Sequence, residues 1–209
     1  YNHYMNRSLL VNDKKDEFTW SMNKLHGHLC SWSYFVPDNI YICNDSFYFY
    51  QKDALNIKNN KNKKVISFCL YGLNDGRNQA RKFDKGVYVN YEYMKKLNYK
   101  DWIMRVYIPY NEPKNVIDNL IKFKNIEIIL VDTNICLRSL RFLPYNDRDV
   151  SHWVSRDLDS ILNEREDIAV NDWLTNYKDK NLMMMCDNYQ HVWTIAGGMF
   201  GFKNDFKKN

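Results

Sequence analysis

The chain contains little glycine, proline and cysteine: seven, four and five residues of 209. Such low glycine and proline contents exclude a collagen-like repeat, and five scattered cysteines do not make a small disulfide-held domain. No stretch approaches the roughly 18 uninterrupted apolar residues of a membrane span. Hydrophobic residues make up 45% and charged residues 26% of the chain, a composition typical of a globular protein and not of a disordered one.

The cysteines and the net charge indicate the cellular compartment and the kinds of partner that this protein could have. The cysteines are odd in number and form no C-x-x-C pair, so reduced thiols in a cytoplasmic compartment are expected. The net charge of +5 is mild and suits many anionic ligands. Part of this charge lies in Lys58–Lys64, whose sequence K-N-N-K-N-K-K is typical of a solvated linker. A nucleic-acid or membrane patch is the alternative interpretation of this run.

The chain changes character near residue 63. Residues 1–63 are aromatic and irregular, with a strand or hairpin expected between residues 40 and 50. Val65–Leu70 is then a short apolar, β-prone run that stops at Tyr71-Gly72, where a polar loop begins. This pattern predicts an N-terminal extension or small subdomain over 1–63. It also predicts a second domain, 64–209, whose first strand is buried and carries a ligand loop at its carboxyl end.

Strand-like and helix-like segments alternate through the second domain. Further strands are expected at 103–108, 126–131, 150–155 and 183–186, and helices at 85–97, after Pro113 and from Asn163 to about 178. Asn163 with Glu166 three residues later predicts a capping box at the start of the last helix. This alternation indicates an α/β fold with a parallel sheet. Ligands should then bind at the carboxyl ends of its strands, at Tyr71-Gly72, Pro109-Tyr110 and Asp132-Thr133.

Two D-x-D pairs differ in their surroundings. Asp147 and Asp149 lie in a polar loop and are interpreted as surface charge. Asp157 and Asp159 follow an apolar strand and precede the capped helix, so both carboxylates are expected at the carboxyl edge of that strand. Two oxygen ligands there would hold Mg²⁺ or Mn²⁺, with a diphosphate completing the coordination. A solvated turn or helix cap is the alternative.

Several short motifs occur in a fixed order between about Lys64 and Phe202. They are Tyr71-Gly72, R-F-L-P at 141–144, R-D-L-D-S at 156–160, E-R-E at 164–166, A-V at 169–170, W-L at 173–174, Asp187, His191 and G-G-M-F-G at 197–201. The set resembles a family of GT-A-type glycosyltransferase domains found in large DNA viruses and in bacteria. The resemblance implies a GT-A-like, Rossmann-like fold with a mostly parallel sheet flanked by helices.

The same resemblance implies a metal-dependent glycosyltransferase. A sugar would pass from a nucleoside-diphosphate sugar to a hydroxyl of a glycan or glycoprotein acceptor, with Mn²⁺ or Mg²⁺ as cofactor. Asp157 and Asp159 match the D-x-D that holds the metal and the diphosphate, and His191 is expected to complete the metal coordination. Asp187 is expected to act as general base or to bind a sugar hydroxyl. A helix cap at Asp187 and a surface imidazole at His191 are the alternatives. The cytoplasm would be that of the host if the protein is viral.

Further positions follow the motif. Tyr71 and Gly72 match the loop that contacts the nucleobase and ribose. Gly197 and Gly198 match the loop that faces the donor sugar, where missing side chains let substrate approach the backbone. The remaining predicted binding residues are Asp132 at the end of its strand and two partners for phosphate or carboxylate groups, Arg141 and Arg156. Pairing of such an arginine with the neighbouring aspartates is the alternative interpretation.

Three other functions compete with the transferase. A non-catalytic sugar- or nucleotide-binding module on the same scaffold would keep the fold without the reaction. D-L-D-S-I-L also loosely resembles the nucleophile motif of haloacid-dehalogenase-type phosphatases. That family carries the motif on its first strand and needs further groups well downstream, where only about 50 residues remain here. A nucleic-acid binder is supported by net charge and surface lysines alone.

Overall fold

The computed structural model describes residues 49–73, 83–185 and 197–204. The chain divides between Phe47 and Tyr48, so this boundary precedes the predicted one at residue 63. The reason is that the segment Phe49–Leu55 already pairs as a strand of the main sheet. Most of the strand or hairpin expected between residues 40 and 50 lies outside the described residues.

The described residues form seven strands, three α-helices and one 3-10 segment. In chain order they are β1 (Phe49–Leu55), β2 (Lys63–Cys69), α1 (Phe83–Lys96), β3 (Ile103–Pro109), α2 (Lys114–Leu120), β4 (Ile126–Thr133), the 3-10 segment (Leu137–Asn146), β5 (Val150–Arg156), α3 (Glu164–Thr175), β6 (Leu182–Met184) and β7 (Met199–Lys203). The expected helices and strands β2 to β6 are thus confirmed. None of the described helices has both the length and the apolar character of a membrane span.

The strands form one mixed sheet in the order β1-β4-β3-β2-β5-β7-β6. Strands β2, β3, β4 and β5 are mutually parallel. Strand β1 runs antiparallel to β4 at one side, and β7 runs antiparallel to both β5 and β6 at the other. Five of the seven strands therefore point the same way, which confirms an α/β fold with a mostly parallel sheet.

The two faces of the sheet are covered by different elements. Along β2, Ile66, Phe68 and Leu70 face the three helices and are fully buried, together with apolar residues of α1, α2 and α3. The alternate residues, such as Val65, pack on the other face, which the 3-10 segment covers. Each fully buried side chain of this size contributes roughly 1.5–3 kcal/mol. This two-sided burial explains why the segment from Val65 to Leu70 is apolar except for Ser67.

The amino terminus of α3 shows half of the predicted capping box. The Asn163 side chain accepts a hydrogen bond from the backbone N–H of Glu166 at 3.0 Å. The Glu166 carboxylate instead forms a buried ion pair with Arg156, with 3.0 Å between Oε1 and Nε. The helix start is therefore joined directly to the carboxyl end of β5.

A buried ion-pair network lies on the face of the sheet that the 3-10 segment covers. Glu127 on β4 is fully buried and accepts from Lys63 Nζ at 3.0 Å and from Arg105 Nη2 at 2.7 Å. Arg105 also donates to Asp147 at 2.7 Å. Two predictions are wrong here: Lys63 is not part of a solvated linker, and Asp147 is not a plain surface charge. Buried charges require such partners because desolvation otherwise disfavours them.

Candidate functional site

The strand order places a crevice between the carboxyl ends of β2 and β5. From β2 the chain moves outward through β3 to β4, and β5 then returns to the opposite side of β2. After such a reversal, the connections that follow β2 and β5 run to opposite sides of the sheet, so neither covers the space between the two carboxyl ends. Ligands of open α/β sheets bind in that space. The residues at this point are Leu70–Leu73 after β2 and Asp157 after β5.

A carboxylate that the sequence analysis missed shapes the loop after β2. Glu112, beyond the end of β3, accepts hydrogen bonds from the backbone amides of Gly72 and Leu73, the latter at 3.0 Å. Gly72 has φ 71°, a left-handed conformation that favours glycine. The sequence does contain a signal for Glu112. It is an acidic residue close to the carboxyl end of a parallel strand, next to Pro109-Tyr110, where the sequence predicts ligand binding.

Tyr71 lies beside an arginine of the 3-10 segment. The Tyr71 hydroxyl accepts a hydrogen bond from Arg138 Nε at 3.2 Å. Burial raises the pKa of the Tyr71 phenol, and Arg138 opposes that shift only in part. Tyr71 therefore stays protonated at neutral pH, and its ring and hydroxyl are available as neutral binding groups.

Asp157 meets a second arginine of the 3-10 segment. Arg141 Nη1 donates to Asp157 Oδ1. Arg141 is nine-tenths buried, whereas the Asp157 side chain is 46% exposed. The Nε of Arg141 has no hydrogen-bond partner in the described part of the chain. A buried guanidinium with an unused donor thus stands next to a half-exposed carboxylate.

Gly197 and Gly198 lie against this pair because β7 begins where β5 ends. The two strands are antiparallel, so the residues before Met199 fall beside the end of β5. Ser155 Oγ donates to the Gly197 carbonyl at 2.5 Å, and Arg156 Nη1 donates to the Gly198 carbonyl at 3.0 Å. A Cβ at position 198 would overlap the Asp157 carboxylate. A side chain at position 198 would therefore disturb Asp157, whatever ligand binds.

This contact leads to a prediction for Gly198→Ala. The methyl group should displace the Asp157 carboxylate, so affinity for a nucleoside diphosphate in the presence of Mn²⁺ should fall together with turnover. Overpacking of this kind also costs about 1–3 kcal/mol of stability. Gly197→Ala is the comparison variant: its Cβ would meet the end of the flexible Arg141 side chain at 2.9 Å and Phe142 Cζ at an ordinary contact distance of 3.6 Å. Its loss of affinity should therefore be smaller than that of Gly198→Ala.

Titration calorimetry of both glycine variants decides the point. Unchanged nucleotide affinity in Gly198→Ala, with sugar transfer lost, would contradict this prediction. It would favour the role that the family resemblance implies, a glycine facing the donor sugar.

Arg156 does not have the exposure that contact with a phosphate needs. Its side chain is 4% exposed and pairs with Glu166, which is 1% exposed, on the helical face of the sheet. With its further bond to the Gly198 carbonyl, Arg156 connects α3 to the glycine pair. The geometry assigns it a positioning role beside Asp157 in place of the predicted ligand contact.

Asp132 is separated from the other predicted residues. It ends β4, where its carboxylate lies 3.1 Å from Lys52 Nζ on β1. Since β3 stands between β4 and β2, the carboxyl end of β4 is about 10 Å from that of β2 and farther still from Asp157. The structure therefore brings together Tyr71, Gly72, Asp157 and the two glycines with Arg141, but not Asp132.

The expected metal ligands are only partly described. Asp159 is exposed two residues beyond Asp157, so the D-x-D does lie at the carboxyl edge of β5. Asp187 and His191 lie outside the described residues. No group of three or more histidine, cysteine, aspartate or glutamate side chains suited to a metal ion occurs within 49–73, 83–185 and 197–204. Two carboxylates with hard oxygen atoms fit part of the coordination of Mg²⁺ or Mn²⁺.

Cys69 is the thiol nearest to this crevice on β2. Its Sγ lies 3.7 Å from the carbonyl oxygen of Arg138, which accepts its hydrogen bond. Burial raises the pKa of the thiol to about 12, although Arg141 lowers it in part. Because the thiolate is the reactive form, Cys69 is not a nucleophile at neutral pH.

Comparison of the chain with protein-family models, with curated proteins and with solved structures finds no match.

Proposed function

We propose that this protein is a metal-dependent glycosyltransferase that moves a sugar from a nucleoside-diphosphate sugar to a hydroxyl acceptor. The observation that carries the proposal is the meeting of Tyr71-Gly72, Asp157 and Gly197-Gly198 at one crevice. These segments are far apart in the chain, and each belongs to the ordered motif set. Chain reversal between β2 and β5 supplies the site at which open α/β sheets bind nucleotides.

The chemistry of these residues suits a nucleoside diphosphate. Asp157 and Asp159, with His191, would hold the divalent ion, which neutralises charge on the leaving diphosphate when bound. Arg141 adds a buried cation with an unused N–H on the same side. Glu112 holds the backbone of the Tyr71-Gly72 loop in one conformation, so that Tyr71 presents a fixed surface to a base or ribose. Asp187 would accept the proton of the acceptor hydroxyl.

The position of the D-x-D argues against the phosphatase alternative. In haloacid-dehalogenase-type enzymes the nucleophilic aspartate belongs to the first strand of the core sheet. Here Asp157 follows β5, the fourth of the mutually parallel strands along the chain, and the corresponding place after β2 is occupied by Tyr71-Gly72.

A nucleotide screen by thermal shift tests the proposed function. One nucleoside diphosphate should raise the melting temperature of the 209-residue chain when Mn²⁺ is present and should have little effect without it. At a concentration 100 times the dissociation constant, the stabilisation should be about 2.7 kcal/mol. Nucleoside monophosphates are the matched control, because they lack the second phosphate that the cation would bind.

The transfer reaction must then be shown with the corresponding nucleotide sugar. Release of the nucleoside diphosphate in the presence of an acceptor supports a transferase. Metal-dependent binding without turnover would favour the non-catalytic binding module. Hydrolysis of a simple phosphate monoester without nucleotide binding would favour a phosphatase.

A further inference from the structure

The opposite end of the sheet carries a concentration of positive charge. Four loops meet there, at the amino ends of β2, β3, β4 and β5: residues 56–62, 97–102, 121–125 and 147–149. We name this surface the amino edge. Its loops contain six lysines and arginines against three aspartates, and Asp147 is already paired with the buried Arg105. The excess of cations therefore faces solvent.

The amino edge is held in a defined shape. Asn56 and Asn62 adopt left-handed backbone conformations, with φ of 57° and 60°, which asparagine tolerates better than most residues. The Asn56 side chain donates to the Ile121 carbonyl at 2.6 Å and joins the first loop to the third. The backbone N–H of Lys58 donates to Glu127 at 2.9 Å. The lysines are thus presented on an ordered scaffold.

Polar and apolar groups are combined on this surface. A shallow groove is lined by two lysines, one aspartate and three asparagines, namely Lys58, Lys100, Asp101, Asn59, Asn60 and Asn125. Trp102 lies almost completely buried beneath it. Beside the groove, Ile57 is 37% exposed and Ile121 is 36% exposed. Each isoleucine precedes a lysine in the chain, so an apolar side chain and a cation face solvent together in two adjacent loops.

We propose that the amino edge docks on an anionic lipid bilayer. Lysines near such a surface are attracted to acidic headgroups, and exposed aliphatic side chains gain by entering the interface. A nucleic-acid partner fits less well, because the aromatic ring at the groove is buried and offers no face on which a base could stack. The protein would contact the membrane surface through the four loops of the amino edge.

This docking leaves the candidate site accessible. Strand β2 has seven residues, so its carboxyl end is about 23 Å from the amino edge. The described loops at the carboxyl edge, 70–73, 110–113, 134–136 and 157–163, contain three carboxylates and no lysine or arginine. Docking through the amino edge would therefore place the crevice on the side away from the bilayer.

Co-sedimentation of the 209-residue chain with vesicles tests the proposal. Binding is expected to vesicles in which phosphatidylserine replaces about a third of the phosphatidylcholine, and not to phosphatidylcholine alone. High salt should weaken it, since screening reduces the attraction. Lys61→Glu/Lys124→Glu should lower partitioning roughly 25-fold or more, because each surface lysine contributes about fivefold. Ile57→Ser/Ile121→Ser should lower it severalfold while keeping the salt dependence.

Lys85→Glu/Lys114→Glu is the matched control. Both of its lysines are exposed in the first turns of α1 and α2, at the carboxyl edge, so the same charge change should leave vesicle binding within about twofold. Circular dichroism of each variant separates lost docking from lost folding.

Equal binding to neutral vesicles, an equal loss in the control, or preferential binding of an oligonucleotide would overturn the proposal. Nucleotide binding is measured separately, and its failure would bear on the proposed function without affecting the vesicle result.

Discussion

Asp157→Asn is expected to abolish metal-dependent binding of the nucleoside diphosphate. The carboxylate pairs with Arg141 and occupies the space beside Gly198 at the crevice. Mutation of groups that only support a metal ligand already costs about 10–100-fold in affinity, so loss of a direct ligand should cost more than about 100-fold. Because the side chain is 46% exposed, the fold should persist. Titration calorimetry with Mn²⁺ measures the effect.

The second D-x-D supplies a control for this experiment. Asp149→Asn makes the same change in an exposed residue at the amino edge and should leave nucleotide affinity unaltered. Asp159→Asn should behave like Asp157→Asn if both carboxylates bind the ion. Wild-type affinity in both Asp157→Asn and Asp159→Asn would remove the metal site from the carboxyl end of β5.

Glu127→Gln is expected to cause a large loss of stability. Glu127 is fully buried and balances Lys63 and Arg105. Glutamine keeps the shape but removes the negative charge, so two buried cations lose their main partner. Breaking a buried ion pair from one side costs about 3–5 kcal/mol. The free energy of unfolding, measured by urea denaturation, should fall by that amount.

The exposed pair Glu92–Lys95 on α1 offers a matched control. Its two charges are 2.7 Å apart but about half exposed, so Glu92→Gln should cost less than about 1 kcal/mol. Equal effects of Glu92→Gln and Glu127→Gln would show that the buried network contributes no special stability.

The same glutamate predicts a pH dependence. Burial raises its pKa, but Arg105, the Lys58 amide and Lys63 together outweigh burial and hold the pKa of Glu127 below its ordinary value of 4.5. A lowered pKa in the folded state stabilises the protein at pH values above 4.5, and this contribution disappears as the pH falls through the folded-state pKa. The stability difference between wild type and Glu127→Gln should therefore shrink in acid.

Local sequence was sufficient to predict the individual elements. The apolar run at Val65–Leu70 predicts a strand buried on both faces, and Asn163 predicts the start of α3, because both signals depend on residues within a few positions of each other. The same signals placed Tyr71-Gly72 and Asp157 at the carboxyl ends of their strands. The α/β class and much of the crevice were therefore predictable.

Pairing between distant segments was not predictable from these patterns. Strand β1 has four exposed residues and three half-buried ones, so it shows no buried face. Its place in the sheet depends on pairing with β4, more than 70 residues away. In the same way, Lys63, Arg105 and Glu127 have the sequence character of surface charges. They are buried because three strands bring them together, and a hydrophobicity pattern contains no information about a partner on another strand.

The amino-acid sequence alone is sufficient to predict strands β2 to β6 and the three helices to within a few residues, together with their apolar faces and the residues that follow each strand. Those properties arise from interactions between near neighbours in the chain. The tertiary structure decided that β5 lies beside β2, that Glu112 holds the first loop, that Arg156 points to α3 and that Asp132 stands apart. It also placed the Asp157 carboxylate beside Gly198, because the antiparallel pairing of β7 with β5 brings those two residues together.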